Sequence, residues 1–269
     1  MRKLLLGLLC LTANCTTDYT AQAYNNFVII VASYNNEKYY KRNLDSILFQ
    51  NYPASHYRII YTNDMSKDQT GQLVQKYVSA KNKWSIFTFI DNTKRLWAME
   101  NLYNMFKMCK PNEIAVIVDG DDWLIDSEVL NYLNSVYQDP NVWITYGNYQ
   151  TSSWIKVMNH VNRQLPAEVI RTNSYRKYFK EHGYCISHLR TFRISLFDKC
   201  DHELLKKDGK FYQTTCDVAL MSMLLEQCNG NFKYLTKPLY IYNTANPINV
   251  YKVYNRTSDL NTILKTKGC

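Results

Sequence analysis

Three carboxylates with a fixed spacing are the residues of this chain best suited to chemistry. Asp119, Asp121 and Asp122 follow directly on the apolar, β-branched run at 114–118. Such a run, bounded by turn residues, predicts a buried strand, and open α/β sheets bind ligands at the carboxyl ends of their strands. Hard divalent cations take oxygen ligands and share their coordination with water and substrate phosphates. The motif therefore predicts an Mg²⁺ or Mn²⁺ site beside a phosphate, and a solvated acidic turn is the alternative.

The elements that must position these carboxylates alternate along the chain. Strands are predicted at 27–32, 57–62, 84–90, 114–118 and 142–146, and helices at 37–49, from the 63–68 loop to about residue 80, at 97–109 and at 126–136. This alternation predicts an α/β fold, a Rossmann-like, mainly parallel sheet with helices on both faces and right-handed crossovers. Beyond residue 149 the periodicity weakens. We expect 150–269 to be a mixed α+β portion, with helices near 172–181 and 214–227 and a strand at 239–242.

The first 23 residues have the composition of a cleaved signal peptide. A basic start, a short apolar stretch at 4–11 and the small-residue sequence Ala21-Gln22-Ala23 predict a mature chain that begins at Tyr24. The protein is then exported or delivered to a secretory-pathway lumen, with a cytoplasmic or membrane-associated protein as the alternative. Residues 24–269 are expected to form a single domain, and no later segment is long and apolar enough to predict a membrane helix.

Cysteine count and charge limit the partners. Six cysteines follow residue 23, and an even count in an exported protein predicts at least one disulfide among them. They are Cys109, Cys185, Cys200, Cys216, Cys228 and Cys269. The formal charge of +9 favours anionic partners. No basic helix, zinc spacing or aromatic RNA-binding pattern accompanies the scattered Lys and Arg residues, so no nucleic-acid partner is expected and a polyanionic small molecule fits the charge.

Four sequence blocks resemble family-2 glycosyltransferases of the GT-A fold. In order and spacing they are FVIIVASYNNEKYY at 27–40, LDSILFQNYP at 44–53, IIYTNDMSKDQT at 59–70 and VDGDD at 118–122. The resemblance covers about residues 27–135. It implies a nucleotide-diphosphate-sugar donor, Mn²⁺ or Mg²⁺, and transfer of a hexosyl or N-acetylhexosaminyl group to an acceptor hydroxyl, with inversion at the anomeric carbon. It also implies a nucleotide-sugar-binding half at 24–149 and a half at 150–269 for the acceptor and the catalytic base.

Residues at the ends of the first two strands are expected to bind the donor nucleotide. Ser33, Tyr34 and Asn35 end the first strand, so their polar groups can reach a base or ribose in the crevice. Asp64 ends the second strand, where the family holds an aspartate that reads the base. The alternatives are a packed aromatic for Tyr34 and, for Asp64, an Asx-turn that shapes its loop. The family's usual Asp-Asp-Gly-Ser is Asn-Asp-Met-Ser at 63–66.

The resemblance also assigns the donor phosphates and the metal. The stretch before the acidic motif often carries a basic residue near the phosphates in this family, and Lys94 or Arg95 fits that part. Asp119 is expected to face the ribose or a metal-bound water. Asp121 is expected to ligate the metal, and Asp122 to ligate it or to orient a ligand.

The second half of the chain is expected to hold the acceptor. The block FRISLFDK at 192–199 is similar to one that begins a helix after the acceptor-facing strand. His188 and Arg190 precede it with alternate spacing, which on a strand puts both side chains on one face, so an acceptor or phosphate contact is expected and a surface salt-bridged pair is the alternative. Asp217, in TTCDVAL at 214–220, resembles the aspartate that acts as catalytic base at a helix start. A helix cap is the alternative.

These assignments predict a metal-dependent enzyme that transfers the sugar in one displacement. An exported, non-catalytic carbohydrate- or metal-binding module on the same scaffold is the alternative, and the three motif carboxylates together with Asp217 argue for the enzyme. A nucleotidyltransferase would need a glycine-rich phosphate loop after the first strand, and residues 32–36 contain no glycine.

Overall fold

A computed structural model describes residues 23–157, 162–248 and 256–266 of the chain, without the side chains of 154–157. The expected signal peptide, apart from Ala23, and Cys269 lie outside these ranges. Within them, every helix is too short or too polar to cross a membrane.

The bounds of the elements follow the alternating pattern. The strands are β1 Asn26–Ser33, β2 Tyr57–Asn63, β3 Phe87–Asp91, β4 Glu113–Ile117, β5 Trp123–Leu124, β6 Ile144–Thr151, β7 Trp154–Val157, β8 Arg190–Arg193, β9 Lys206–Lys207, β10 Lys210–Phe211 and β11 Phe232–Tyr242. The helices are α1 Tyr40–Leu48, α2 Thr70–Ala80, α3 Trp97–Phe106, α4 Val129–Tyr137, α5 Ala167–Arg171, α6 Tyr175–His182, α7 Ile194–Phe197, α8 Cys216–Gln227 and α9 Thr257–Lys265.

A single mixed sheet organises the fold. Its strands run in the order β3-β2-β1-β4-β8-β6-β11-β5, and β7 pairs with β6. The first four are mutually parallel, and β11 is parallel to β6. β8 is antiparallel to both of its neighbours, and β5 is antiparallel to β11. The predicted α/β fold with a mainly parallel sheet is therefore confirmed.

Helices cover both faces of this sheet. Along β1, Val28 and Ile30 belong to the core on the α3 and α8 side, whereas Ile29 and Val31 belong to the core on the α1, α2 and α4 side. All four side chains are fully buried. Successive strand residues point to opposite faces, so a strand buried on both faces appears in sequence as the continuous apolar run from which it was predicted.

Several element bounds differ from the sequence-based prediction. The segment Trp84–Ile86 is a 3-10 helix, and β3 begins only at Phe87. Helix α1 begins at Tyr40 instead of residue 37, because the Asn36 carbonyl accepts from the N–H groups of Tyr39 and Tyr40 in a preceding turn. The short elements β5, β7, β9, β10 and α5 were not predicted, since few residues carry each period. The helix α9 was not predicted either.

The expected disulfide does not form among the described cysteines. Cys109, Cys185, Cys216 and Cys228 carry free thiols, and the Cys200 thiol donates to the Leu196 carbonyl at 3.4 Å. Buried cysteine behaves as a small apolar side chain, and Cys185 and Cys228 pack in the core on the α8 side of the sheet. Burial raises the pKa of the Cys185 thiol to about 11.

Candidate active site

An open cavity of about 270 Å³ lies at the carboxyl ends of the central strands. From β1 the chain continues to β2 on one side, and β4 pairs on the other, so the strand ends leave a crevice at a topological switch point. Most of the predicted site residues line this cavity. They are Ser33, Tyr34, Asp64, Arg95, Asp119, Asp121, His188, Arg190 and Asp217.

The turn that carries the acidic motif is held tightly against β1. A Cβ atom on Gly120 would lie 2.5 Å from the Ser33 Cβ, so only glycine allows this close approach. From α1, the buried Asn43 amide donates to the carbonyls of Asp119 at 3.0 Å and Asp122 at 2.8 Å. These contacts fix the directions in which the three carboxylates leave the turn.

Asp122 lies behind the cavity wall, not in it. The residue is 1% exposed. Its carboxylate accepts from the Tyr240 hydroxyl at 2.8 Å and from the Asn243 N–H at 2.7 Å. Burial, and then the charges of Asp121 and Asp119, raise the pKa of Asp122 well above its ordinary value. The site therefore contains a buried carboxylate whose ionisation a nearby cation would favour.

A group of three described side chains that could hold a metal overlaps the predicted pair at Asp122. Ligand atoms of Asp119, Asp122 and His188 lie within 4.8 Å of one another. Sequence predicted Asp121 and Asp122; Asp121 lines the cavity, and its carboxylate accepts from the Asn246 amide at 2.7 Å. Two carboxylates and an imidazole around one point suit a divalent cation such as Mn²⁺, so the residues present fit the metal that the motif predicted.

His188 is a neutral imidazole with a defined tautomer. Its ring stacks on that of Tyr240 with centroids 4.4 Å apart. Burial, and then the charge of Arg190, lower its pKa well below the ordinary 6.5. Arginine only donates, so the 3.3 Å contact from Arg190 Nη2 makes His188 Nδ1 an acceptor and places the proton on Nε2, 3.9 Å from Asp119 Oδ2. Ligation through Nε2 requires that proton to move, and Arg190 to release Nδ1.

Arg190 links the acidic turn to the candidate base. It starts β8, where pairing with Ile117 of β4 brings it beside the motif. Nη1 lies 3.6 Å from Asp217 Oδ2, and Nη2 lies 4.0 Å from Asp119 Oδ2. Burial lowers the pKa of Arg190, but these carboxylates raise it further, so the group is charged. Both distances exceed a normal hydrogen bond, and Nε has no hydrogen-bond partner among the described residues. The guanidinium thus retains donor capacity for a ligand oxyanion.

The side chains of His188 and Arg190 lie together, as predicted, but only Arg190 belongs to the strand that was expected to hold both. Strand β8 begins at Arg190, so His188 precedes the strand. The side chains come together through the contact between Nη2 and Nδ1.

Asp217 faces the cavity from the start of α8. It is the second residue of the helix, and the residue at the cap position, Thr215, makes no side-chain capping hydrogen bond. The Asp217 side chain is 37% exposed and faces Arg190. A carboxylate that is accessible from the cavity and held by a cation can take a proton from a bound hydroxyl, whereas the geometry gives the capping alternative no hydrogen bond.

Asp64 uses its carboxylate to hold a distant loop. It accepts from the Asn92 amide at 2.9 Å and from the N–H groups of Leu96 at 2.8 Å and Trp97 at 2.9 Å. Asp64 therefore holds a loop in place, as the alternative to base recognition supposed. That loop is 92–97, whereas the alternative placed it around Asp64 itself. Asp64 still lines the cavity.

Arg95 is stacked between two aromatic rings. Its guanidinium carbon lies 3.5 Å from the ring centroid of Tyr34 and 4.1 Å from that of Trp97. Lys94, the alternative basic residue, is exposed and does not line the cavity. Asn35 does not line it either, because its side-chain oxygen accepts from the Lys67 N–H at 2.7 Å and ties two loops together.

Several residues of the site gave no usable sequence signal. Tyr240 and Asn246 come from β11 and the segment after it, more than a hundred residues from the turn they contact. Gln213 and Arg256 also line the cavity. Only the fold brings them to the motif, because none forms a local pattern with it.

Comparison with known proteins agrees with this geometry. Residues 28–201, more than half of the chain, match the sequence model described as glycosyl transferase family 2. A 56-residue segment is 39% identical to the poly(ribitol-phosphate) beta-N-acetylglucosaminyltransferase TarS of Staphylococcus aureus, and it covers 21% of this chain and 10% of that protein.

Solved structures show the same fold. The crystal structure of S. aureus TarS 1–349 in complex with UDP-GlcNAc superimposes with a TM-score of 0.64 and 19% identity, over 88% of this chain and 64% of that one. The mannosyltransferase PcManGT from Pyrobaculum calidifontis, in complex with GDP-Man and Mn²⁺, gives a TM-score of 0.52 and 18% identity, over 82% and 57%. This chain thus spans less than two thirds of each of these solved chains.

Proposed function

We infer the function of this chain from its family: it belongs to glycosyl transferase family 2. We propose that it is a metal-dependent, inverting glycosyltransferase that moves a hexosyl or N-acetylhexosaminyl group from a nucleotide-diphosphate-sugar to the hydroxyl of a glycan, lipid or protein acceptor. A uridine diphosphate donor is the first choice, because the similar TarS structure contains UDP-GlcNAc.

One observation carries the proposal. Arg190 lies between Asp119 of the acidic turn and Asp217 of α8, within 4.0 Å of both carboxylates. A group suited to the donor and a group suited to the acceptor are thereby set on opposite sides of one buried cation, at the strand ends where the fold binds ligands.

The donor is proposed to bind along the β1 and β2 side of the cavity. Tyr34 offers a ring face for a base, and Ser33 and Asp119 lie at neighbouring strand ends within reach of a ribose. Arg190 carries a buried Nε without a hydrogen-bond partner among the described residues, and Arg95 borders the same cavity. A diphosphate supplies the acceptors that such donors lack.

The transfer needs one proton acceptor and no covalent intermediate. Asp217 takes the proton of the acceptor hydroxyl as that oxygen attacks the anomeric carbon. Arg190 holds Asp217 in place and stabilises negative charge on the departing phosphate. A divalent cation held by Asp119 and Asp122 would add charge neutralisation at the same leaving group. A single attack from the face opposite the leaving group inverts the anomeric centre.

The stereochemistry of donor hydrolysis tests this mechanism. Water replaces the acceptor slowly in many transfer reactions, so the protein is incubated with UDP-sugars of α configuration, and the released sugar is followed by ¹H NMR before it mutarotates. The β anomer should appear first, at a rate that depends on Asp217. An initial α anomer would rule out single displacement. If no sugar is released from any donor tried in the presence of Mn²⁺, the proposed glycosyltransferase activity is refuted.

A further inference from the structure

A second cavity adjoins the first. Its volume is about 340 Å³, and its walls come from the loop before α3, from α3 itself and from the β9–β10 hairpin. Arg95, Trp97 and Gln213 line both cavities. Gln213 lies four residues before Asp217, and both line the first cavity. A molecule bound in the second cavity therefore extends toward the candidate base.

The hairpin presents its lysines from a rigid turn. Asp208 and Gly209 have φ values of 52° and 74°, and two central residues in the left-handed region are typical of the type I′ turn that suits a two-residue hairpin. Lys206 is oriented by the Glu203 carboxylate at 2.7 Å and lies over the Phe211 ring. Lys210, on the other strand, is exposed.

Positive charge in this cavity exceeds negative charge. Arg95, Lys206 and Lys210 line it, whereas Glu100 is its one acidic lining residue. Among the described residues, Lys210 has no carboxylate within salt-bridge distance. Arg95 Nε lies 3.9 Å from Asp64 Oδ2 and is buried without a hydrogen-bond partner. A cleft in which one sign of charge predominates concentrates ions of the opposite sign, and a buried donor without an acceptor calls for one.

We propose that this cavity binds an oxyanion of the acceptor, a phosphate or a carboxylate, and so selects an anionic acceptor. That the bound anion belongs to a glycosyl acceptor rests on the proposed function, whereas the oxyanion site itself does not depend on it. Gln213 joins this cavity to the one that Asp217 lines, while the donor diphosphate is served by Arg190 beside the acidic turn. An acceptor anchored by its anion would present a neighbouring hydroxyl to the base.

Binding of a small phosphate ester tests the site directly. Glycerol 3-phosphate is titrated into the protein saturated with UDP and Mn²⁺, so that the donor cavity is occupied, and tryptophan fluorescence is followed because Trp97 lines both cavities. Glycerol serves as the neutral comparison. Lys210→Glu should weaken glycerol 3-phosphate binding by about tenfold, and added salt should weaken wild-type binding, as expected for a rim charge.

Matched variants separate this site from general charge effects. Lys76→Glu makes the same charge change at an exposed position of α2 that lines neither cavity, and it should leave the affinity within twofold. Lys210→Gln should give an intermediate loss. Equal affinity in wild type and Lys210→Glu, or equal binding of glycerol, overturns the proposal. If neither UDP nor any other nucleoside diphosphate binds but glycerol 3-phosphate binding depends on Lys210, the proposed function fails and the oxyanion site stands.

Discussion

Replacing Asp217 with asparagine separates chemistry from structure at the candidate base. Asparagine keeps the size of the side chain and its hydrogen-bonding reach, but it cannot accept a proton at neutral pH. The helix α8 has no cap hydrogen bond from this residue to lose. The substitution does remove the charge 3.6 Å from Arg190 Nη1, which leaves Asp119 as the remaining carboxylate within 4.0 Å of that buried guanidinium.

The two effects have different sizes. Loss of a general base lowers turnover by roughly 10²–10⁴. Loss of the pair with a partly exposed carboxylate, together with the helix-dipole term, should lower the free energy of unfolding by only about 1–2 kcal/mol. The donor is proposed to bind on the other side of Arg190, so UDP affinity should change by less than about threefold, or 0.6 kcal/mol. A catalytic role therefore predicts a large loss of turnover with nearly intact binding and folding.

The assay combines UDP release, UDP binding by calorimetry and urea unfolding on each variant. Asp201→Asn is the matched control, because the Asp201 side chain caps the 3-10 helix His202–Leu205 by accepting from the Glu203 N–H at 3.0 Å. It should reduce stability slightly and leave UDP release unchanged. If Asp217→Asn instead behaves like Asp201→Asn, with release within a few-fold of wild type, the base assignment is wrong and Glu181, His182 and His188 become the next candidates.

Four further predictions follow from the site and the sequence. Gly120→Ala should destabilise the protein by about 1–3 kcal/mol in urea unfolding, because the new Cβ would lie 2.5 Å from the Ser33 Cβ; wild-type stability would contradict the close packing. Tyr240→Phe removes the hydroxyl that donates to Asp122 and accepts from the Asp119 N–H, and it should lower the free energy of unfolding by about 1–3 kcal/mol in the same assay, whereas a loss below about 0.5 kcal/mol would mean that water replaces the hydroxyl. Mn²⁺ affinity should fall as the pH decreases, in a range that lies above the ordinary aspartate pKa of 3.8, because the raised pKa of Asp122 lets protons compete with the cation; a flat profile would exclude Asp122 as a ligand. We also propose that the protein is exported, so N-terminal sequencing of protein from its native host should begin at Tyr24, and an intact Met1 would indicate a cytoplasmic or membrane-associated protein.

The half of the site built from local patterns was predictable. The apolar run of β1 is buried on both faces, and the acidic motif follows the strand beside it, so the alternation of strands and helices was enough to bring Ser33 and Asp119 to one edge of the sheet. The turn residues that follow the apolar run at 114–118 also marked the end of the predicted strand. These features depend on backbone direction and periodicity, which sequence reports directly.

The rest depends on contacts between distant segments. Asp122 turns away from the cavity because Tyr240 and Asn243 of the far half of the chain bind its carboxylate, and no periodicity relates them. His188 was predicted to contact the acceptor or a phosphate. Its proximity to Asp119 and Asp122, which makes it a candidate metal ligand, depends on the folding of distant segments and has no sequence signal. The prediction of a disulfide is wrong for the described cysteines, because an even cysteine count does not distinguish bridged cysteines from thiols that are buried as small apolar groups.

Calorimetric titration of UDP, with Mn²⁺ and then with a chelator, tests the central claim that this cavity is a metal-dependent nucleotide-sugar site. UDP is expected to bind with Mn²⁺, to bind at least about tenfold more weakly with the chelator, and to lose this difference in Asp119→Asn. At a UDP concentration of one hundred times Kd, the same binding should stabilise the fold by about 2.7 kcal/mol. Failure of UDP and of the other nucleoside diphosphates to bind with Mn²⁺, or tight binding that the chelator leaves unchanged, would contradict it.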